Sequence, residues 1–304
     1  MPDNTNKIVN QLLNFSKLTA KAVKKASRSI SRKIERGDNP YRPKKTPYDT
    51  SLLPLAWPLP KRRPPWYVQW SKNPERISLV SVDTDEHALR FDLVKGCHGL
   101  ASGAAFRANP NAWLPADAAT LTYSVYIPEG FDFVKGGKLP GLNIGCAPND
   151  CSTGGAWSDT GGSFRPMFRE RGACIGYMYA PLPGAGQGTF DAQHEEYKAV
   201  AKVKGVTGID LWHGKSGADL QLRSGAWNSI SISVRLNTPG YPDGAVALTV
   251  NGRTKSMDGI LWRLNEASRI NAVNFVVFFG GGSAEWDSLV DTYMLFKDIS
   301  FASA

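Results

Sequence analysis

Apolar side chains recur at every second position through most of this chain. Leu121, Tyr123, Val125 and Ile127 alternate with polar neighbours, and so do Ile230, Ile232, Val234 and Leu236. Val246, Leu248 and Val250 repeat the pattern, and an unbroken apolar run covers Phe275 to Phe279 before Gly280-Gly281-Gly282. A period of two puts alternate side chains on one face of a strand, while the Gly, Pro and Asn clusters between these segments mark turns. Long helical periodicity is absent beyond the first forty positions, and strands do not alternate with helices. The pattern predicts an all-β fold, an antiparallel β-sandwich of jelly-roll type with one sheet available as a binding surface.

The beginning of the chain follows another period. Ile8, Leu12, Phe15, Leu18, Val23, Ala26, Ile30 and Ile34 stand mostly three or four apart, with Lys17, Lys21, Lys24, Lys25, Arg28, Arg32 and Lys33 between them. Residues 1–36 therefore read as a basic amphipathic arm, helical or disordered. It suits an acidic partner, nucleic acid or an anionic membrane surface, or else a solvated tail. Residues 37–65 hold 8 of the 20 prolines together with Lys44-Lys45 and Lys61-Arg62-Arg63, which predicts an extended linker that joins no sheet. The folded domain is expected over 66–304.

Charge sharpens this division. Residues 1–65 carry 15 Lys and Arg against 4 Asp and Glu, and the remainder carries 21 against 23, so the formal net charge of +9 belongs to the arm. A nearly neutral body is poorly suited to gripping phosphates, which argues against a nucleic-acid enzyme. No apolar run of about 18 residues suggests a transmembrane segment, and no apolar centre of a Sec signal peptide is evident. Cys97, Cys146, Cys151 and Cys174 lack zinc-knuckle spacing, and neither metal nor cofactor is expected. Cys146 and Cys151 are close enough for a small disulfide loop, or they stay thiols.

The densest chemistry lies between Gly136 and Tyr179. Ser163, Arg165, Met167 and Arg169 share one side of a strand, as do Ile175, Tyr177 and Tyr179 on the next. If Arg171, Gly172 and Ala173 form a three-residue loop, Arg165 stands opposite Tyr179 and Met167 opposite Tyr177. A two- or four-residue loop would separate the two sets onto opposite faces. Hydroxyls and a guanidinium on one surface suit bidentate capture of a carboxylate with proton transfer beside it. A glycoside hydrolase would need two facing carboxylates, and this segment offers only Asp150, Asp159 and Glu170, in loop or turn positions.

With GGKLPG carrying Lys138, SFR carrying Ser163 and Arg165, and YMY carrying Tyr177 and Tyr179, the segment resembles polysaccharide lyase family 14, including the wall-degrading lyase domains of chlorella viruses. Phe279-Gly280-Gly281-Gly282 and the stretch Trp286 to Phe296 are similar to that family's closing strands. The resemblance spans roughly residues 85–302, and the loop from Asn143 to Gly162 departs from it. It implies metal-independent β-elimination of a uronic-acid polysaccharide of the glucuronan or alginate kind. Arg165, Lys138 and Ser163 would neutralise the carboxylate, and Tyr177 and Tyr179 would act as acid and base. Arg169, Trp212 and His213 are candidate substrate contacts. A basic arm on such an enzyme suits a virion-associated location or release by lysis. The rival reading is a non-catalytic jelly-roll module that binds anionic glycans or builds a virion.

Overall fold

In the computed structural model the alternating segments become strands whose apolar sides meet between two sheets. The structure describes residues 50–52, 66–110, 114–146, 160–180, 209–212 and 220–303. The basic arm at 1–36, Cys151 and His213 lie outside the described residues, and with them the proposed Cys146–Cys151 bridge. Strands are numbered in chain order.

Sheet I contains β1 (Thr50–Leu52), β3 (Ile77–Ser81), β4 (His87–Leu93), β6 (Ala118–Ile127), β12 (Ala226–Arg235), β13 (Gly244–Val250), β14 (Arg253–Ile260) and β16 (Thr292–Ser303). Its order is β14-β13-β12-β6-β16-β4-β3, with β1 added on β16. Sheet II contains β2 (Tyr67–Lys72), β5 (Ala104–Asn109), β7 (Gly137–Lys138), β8 (Gly141–Gly145), β9 (Gly162–Phe168), β10 (Cys174–Tyr179), β11 (Ile209–Leu211) and β15 (Arg269–Phe279). Its order is β11-β10-β9-β7-β15-β5-β2, and β8 pairs with both β15 and β9. The pairings are antiparallel, as the jelly-roll expectation requires.

Two expectations need correction. The Pro-rich linker does join a sheet: Thr50, Ser51 and Leu52 pair with Ala302, Phe301 and Ser300. This is possible because the three residues fall between Pro47 and Pro54, leaving a short proline-free edge strand. The loop expected from Asn143 begins later, since β8 runs on to Gly145.

The core is an aromatic stack between the sheets. Phe91 of sheet I lies against Phe106 and Phe275 of sheet II, with ring centroids at 6.1 and 5.3 Å, and Phe106 and Phe275 stack at 4.9 Å. Each buried ring is worth about 1.5–3 kcal/mol by area, and each well-placed pair about 0.5–1.5 kcal/mol more. Alternation then decides which residues remain for chemistry. On β9, Phe164 and Phe168 enter the core, so Ser163, Arg165 and Met167 point to the outer face of sheet II.

Candidate active site

Three short rows of side chains cross the outer face of sheet II. Asn143, Ser163 and Tyr179 stand side by side on β8, β9 and β10. Arg165, Tyr177 and Asp210 form the next row on β9, β10 and β11. Phe278, Lys138, Met167 and Ile175 form the third. The structure thus brings Lys138, Ser163, Arg165, Tyr177 and Tyr179 onto one face, and all five are buried.

The register differs from the sequence reading by two residues. Arg165 faces Tyr177 and Ser163 faces Tyr179, because the connection is longer than three residues. Arg169 N–H donates to the Ala173 carbonyl at 2.7 Å across a tight turn in which Arg171 and Gly172 both take positive φ. The segment at 220–222 takes up backbone groups of the turn and of the strand after it: Leu222 N–H donates to the Gly172 carbonyl and Cys174 N–H to the Leu220 carbonyl, each at 2.8 Å. An odd loop length keeps the parity of the strands, so the slip leaves serine, arginine and tyrosines on one face.

Two features seat Lys138 and Arg165. Pro166 lies in a central strand, yet its carbonyl accepts from Leu139 N–H at 3.0 Å. Its missing donor therefore faces the Leu139–Pro140 break between β7 and β8, where no ladder bond is lost. Gly141 sits beside Arg165 so closely that a Cβ there would stand 2.5 Å from the arginine Cβ. From the opposite sheet, the Tyr123 hydroxyl donates to the Pro140 carbonyl at 3.0 Å. Burial holds the Tyr123 phenol well above its ordinary pKa, so it remains a donor. Tyr123→Phe leaves that carbonyl without its donor and is expected to cost about 1–3 kcal/mol in urea unfolding, with turnover reduced through Lys138.

Within the cluster, Arg165 Nη2 donates to Ser163 Oγ at 2.8 Å. The hydroxyls of Tyr177 and Tyr179 are 3.2 Å apart, either one able to donate, and their rings meet edge to face. Lys138 Nζ lies 4.3 Å from the centroid of the Tyr177 ring. Burial first, then the Arg165 and Arg169 cations, hold the Lys138 ammonium well below its usual range, and Asp210 offsets this in part. Cys174, on the core side, has its thiol pushed up to about 12 by burial, with the Arg169 cation pulling weakly the other way, which makes it inert.

Arg169 is at the edge of the cluster, with Nη2 2.6 Å from Asp210 Oδ2 and its guanidinium 5.8 Å from the Trp286 ring. Trp286 is seated by Gly281, whose φ is +80° and whose added Cβ would lie 2.1 Å from the indole. Trp212 does not belong with the site: it is buried in the main core, edge-on to Phe164, on the other side of the sheet. Asp210 and Asn143 are the residues that sequence reasoning missed. The alternation Ile209-Asp210-Leu211 is the signal that could have found the first.

Over 205 residues the chain is 23% identical to Exolysin of Paramecium bursaria Chlorella virus 1, a match that takes in 62% of this chain and 30% of that protein. The chain therefore spans about a third of the length of the curated relative it matches. Among solved structures, the alginate lyase vAL-1 from Chlorella virus superposes with a TM-score of 0.62 at 24% identity, covering 79% of this chain and 93% of the other. The marine PL-14 alginate lyase from Aplysia kurodai gives 0.66 at 26% identity, covering 79% and 91%. The family model Polysaccharide lyase 14 matches residues 82–299, more than two thirds of the chain and the whole of the site. The chain belongs to polysaccharide lyase family 14.

Proposed function

We propose that the chain cleaves a uronic-acid polysaccharide, of the alginate or glucuronan kind, by β-elimination on the outer face of sheet II. The observation that carries this is the Arg165–Ser163 pair beside the hydrogen-bonded Tyr177–Tyr179 pair, all buried. In such a reaction the C5–H and C4–O4 bonds break, a C4=C5 double bond forms, and a proton ends on the departing O4. The difficulty is negative charge, because C5 lies next to an ionised carboxylate. Arg165, held by Ser163, offers two parallel N–H donors to that carboxylate and stabilises the enediolate-like transition state.

The remaining groups handle protons. Two phenols within hydrogen-bonding distance can pass a proton between them, which suits removal of the C5 proton and protonation of the departing O4. Lys138 fits this side of the chemistry better than carboxylate neutralisation, since a lysine held toward its neutral amine accepts a proton rather than supplying charge.

Incubation with alginate or polyglucuronate should yield oligosaccharides with an unsaturated end, read by ultraviolet absorbance and by mass. Release of saturated ends only, or no cleavage of any polyuronate, would overturn the proposal. Tyr177→Phe and Tyr179→Phe should each lower kcat by about 10²–10⁴-fold. Undiminished turnover in both would remove the tyrosines from proton transfer.

A further inference from the structure

We propose that sheet II carries a second uronate subsite, centred on Arg107 and Trp70 and joined to the Arg165 site by a floor of buried asparagine amides. The identity of its ligand rests on the lyase reading above; its existence rests on the geometry of the sheet. The row through Arg165 does not stop at β9. Gly141 lies beside Arg165, Asn274 of β15 pairs with Gly141, Arg107 of β5 pairs with Asn274, and Trp70 of β2 pairs with Arg107. Residues paired across neighbouring strands share a face, so Arg107 and Trp70 look out on the same side as Arg165.

Two observations point to a ligand. Asn143 and Asn274 are 0% and 2% exposed, yet both polar atoms of the Asn143 amide and the Asn274 Oδ1 have no hydrogen-bond partner among the described residues. Burying an amide without a partner is costly, and a protein keeps such groups where something else completes them. Sugar hydroxyls both donate and accept, which is what an amide oxygen and an amide NH₂ require. At the far end, the half-buried Arg107 guanidinium lies 5.1 Å from the Trp70 ring centroid. A guanidinium set over an indole is restrained by it, and the pair combines a cation that suits a carboxylate with a ring that suits sugar stacking.

The spacing fits an extended polymer. Arg165 on β9 and Arg107 on β5 are separated by three strand steps through β8 and β15, about 14 Å at ~4.8 Å per step. One step is close to the length of one sugar in an extended 1,4-linked chain. Arg107 thus receives the carboxylate of a sugar a few places from the one at Arg165, with the asparagines beneath the uncharged edges between them.

The test is calorimetric binding of a uronate disaccharide and a hexasaccharide to the full chain, with melting curves for every variant. Arg107→Ala should weaken the hexasaccharide by about 10–100-fold and leave the disaccharide within a factor of about two. Asn274→Leu should weaken the hexasaccharide while leaving the melting temperature equal or higher, because it removes an unpartnered buried amide; a purely structural asparagine would do the opposite. Equal hexasaccharide affinity in the parent and in Arg107→Ala overturns the subsite. A parent that binds the hexasaccharide through Arg107 but releases no unsaturated product keeps the subsite and overturns the lyase reading. A parent that does not bind the hexasaccharide overturns both.

Discussion

Arg165→Ala is expected to lower kcat/KM on a uronate polymer by about 10²–10³-fold, the loss typical of removing one donor aimed at developing negative charge. The side chain is 1% exposed and fixed by its bond to Ser163 Oγ, so it needs little reorganisation when a carboxylate arrives. Arg165→Lys should restore only part of the rate. An ammonium supplies the charge but cannot make two parallel N–H bonds in the plane of a carboxylate. The alanine substitution empties volume in a buried layer, which costs stability, but it also removes a cation that repels Lys138. Melting curves recorded beside the kinetics separate folding from catalysis. An Arg165→Ala enzyme within tenfold of the parent would place carboxylate neutralisation on another residue.

The architecture was legible because the apolar alternation of β6, β12 and β13 and the apolar run of β15 are strong and survive in the inward faces of the two sheets. Four of the site residues were legible for a related reason: Ser-x-Arg and Tyr-x-Tyr keep their parity on adjacent strands, and an odd turn cannot separate them. The exact pairing was not legible. It depends on which residues between Phe168 and Cys174 make the turn, and the backbone groups there are hydrogen-bonded to residues 220–222, some fifty positions away. Trp212 misled because an aromatic beside a histidine looks like a sugar platform. Gly176, whose missing side chain leaves room for Trp212 and Phe164, instead lets it pack inward. Arg107, Trp70 and Asn274 were invisible for a simpler reason: they belong to strands distant in sequence, and only sheet order aligns them with Arg165.

Lys138→Met is expected to abolish most turnover, by about 10²–10⁴-fold, and at the same time to make the protein more stable. Both results follow from a buried ammonium crowded by Arg165 and Arg169. Below the depressed folded-state pKa, folded and unfolded chains alike hold the proton, so the full penalty of burying the charge is present. Between that pKa and the ordinary value of 10.5 the unfolded chain binds more protons, so stability rises with pH and the penalty has gone by 10.5. The methionine variant lacks this slope. It should exceed the parent by about 0.5–2 kcal/mol below the window and converge on it near pH 10.5, measured by urea unfolding over pH. Activity reads the same group in the other direction, rising as the neutral amine forms. A bound uronate carboxylate favours the ammonium, so the rising limb of kcat should lie at higher pH than that of kcat/KM. Arg165→Met, by removing a cation that depresses Lys138, should move the kcat/KM limb upward as well. A limb unmoved by Arg165→Met, together with a methionine variant that keeps the parent's pH-dependent stability, would show that Lys138 is not the group that titrates.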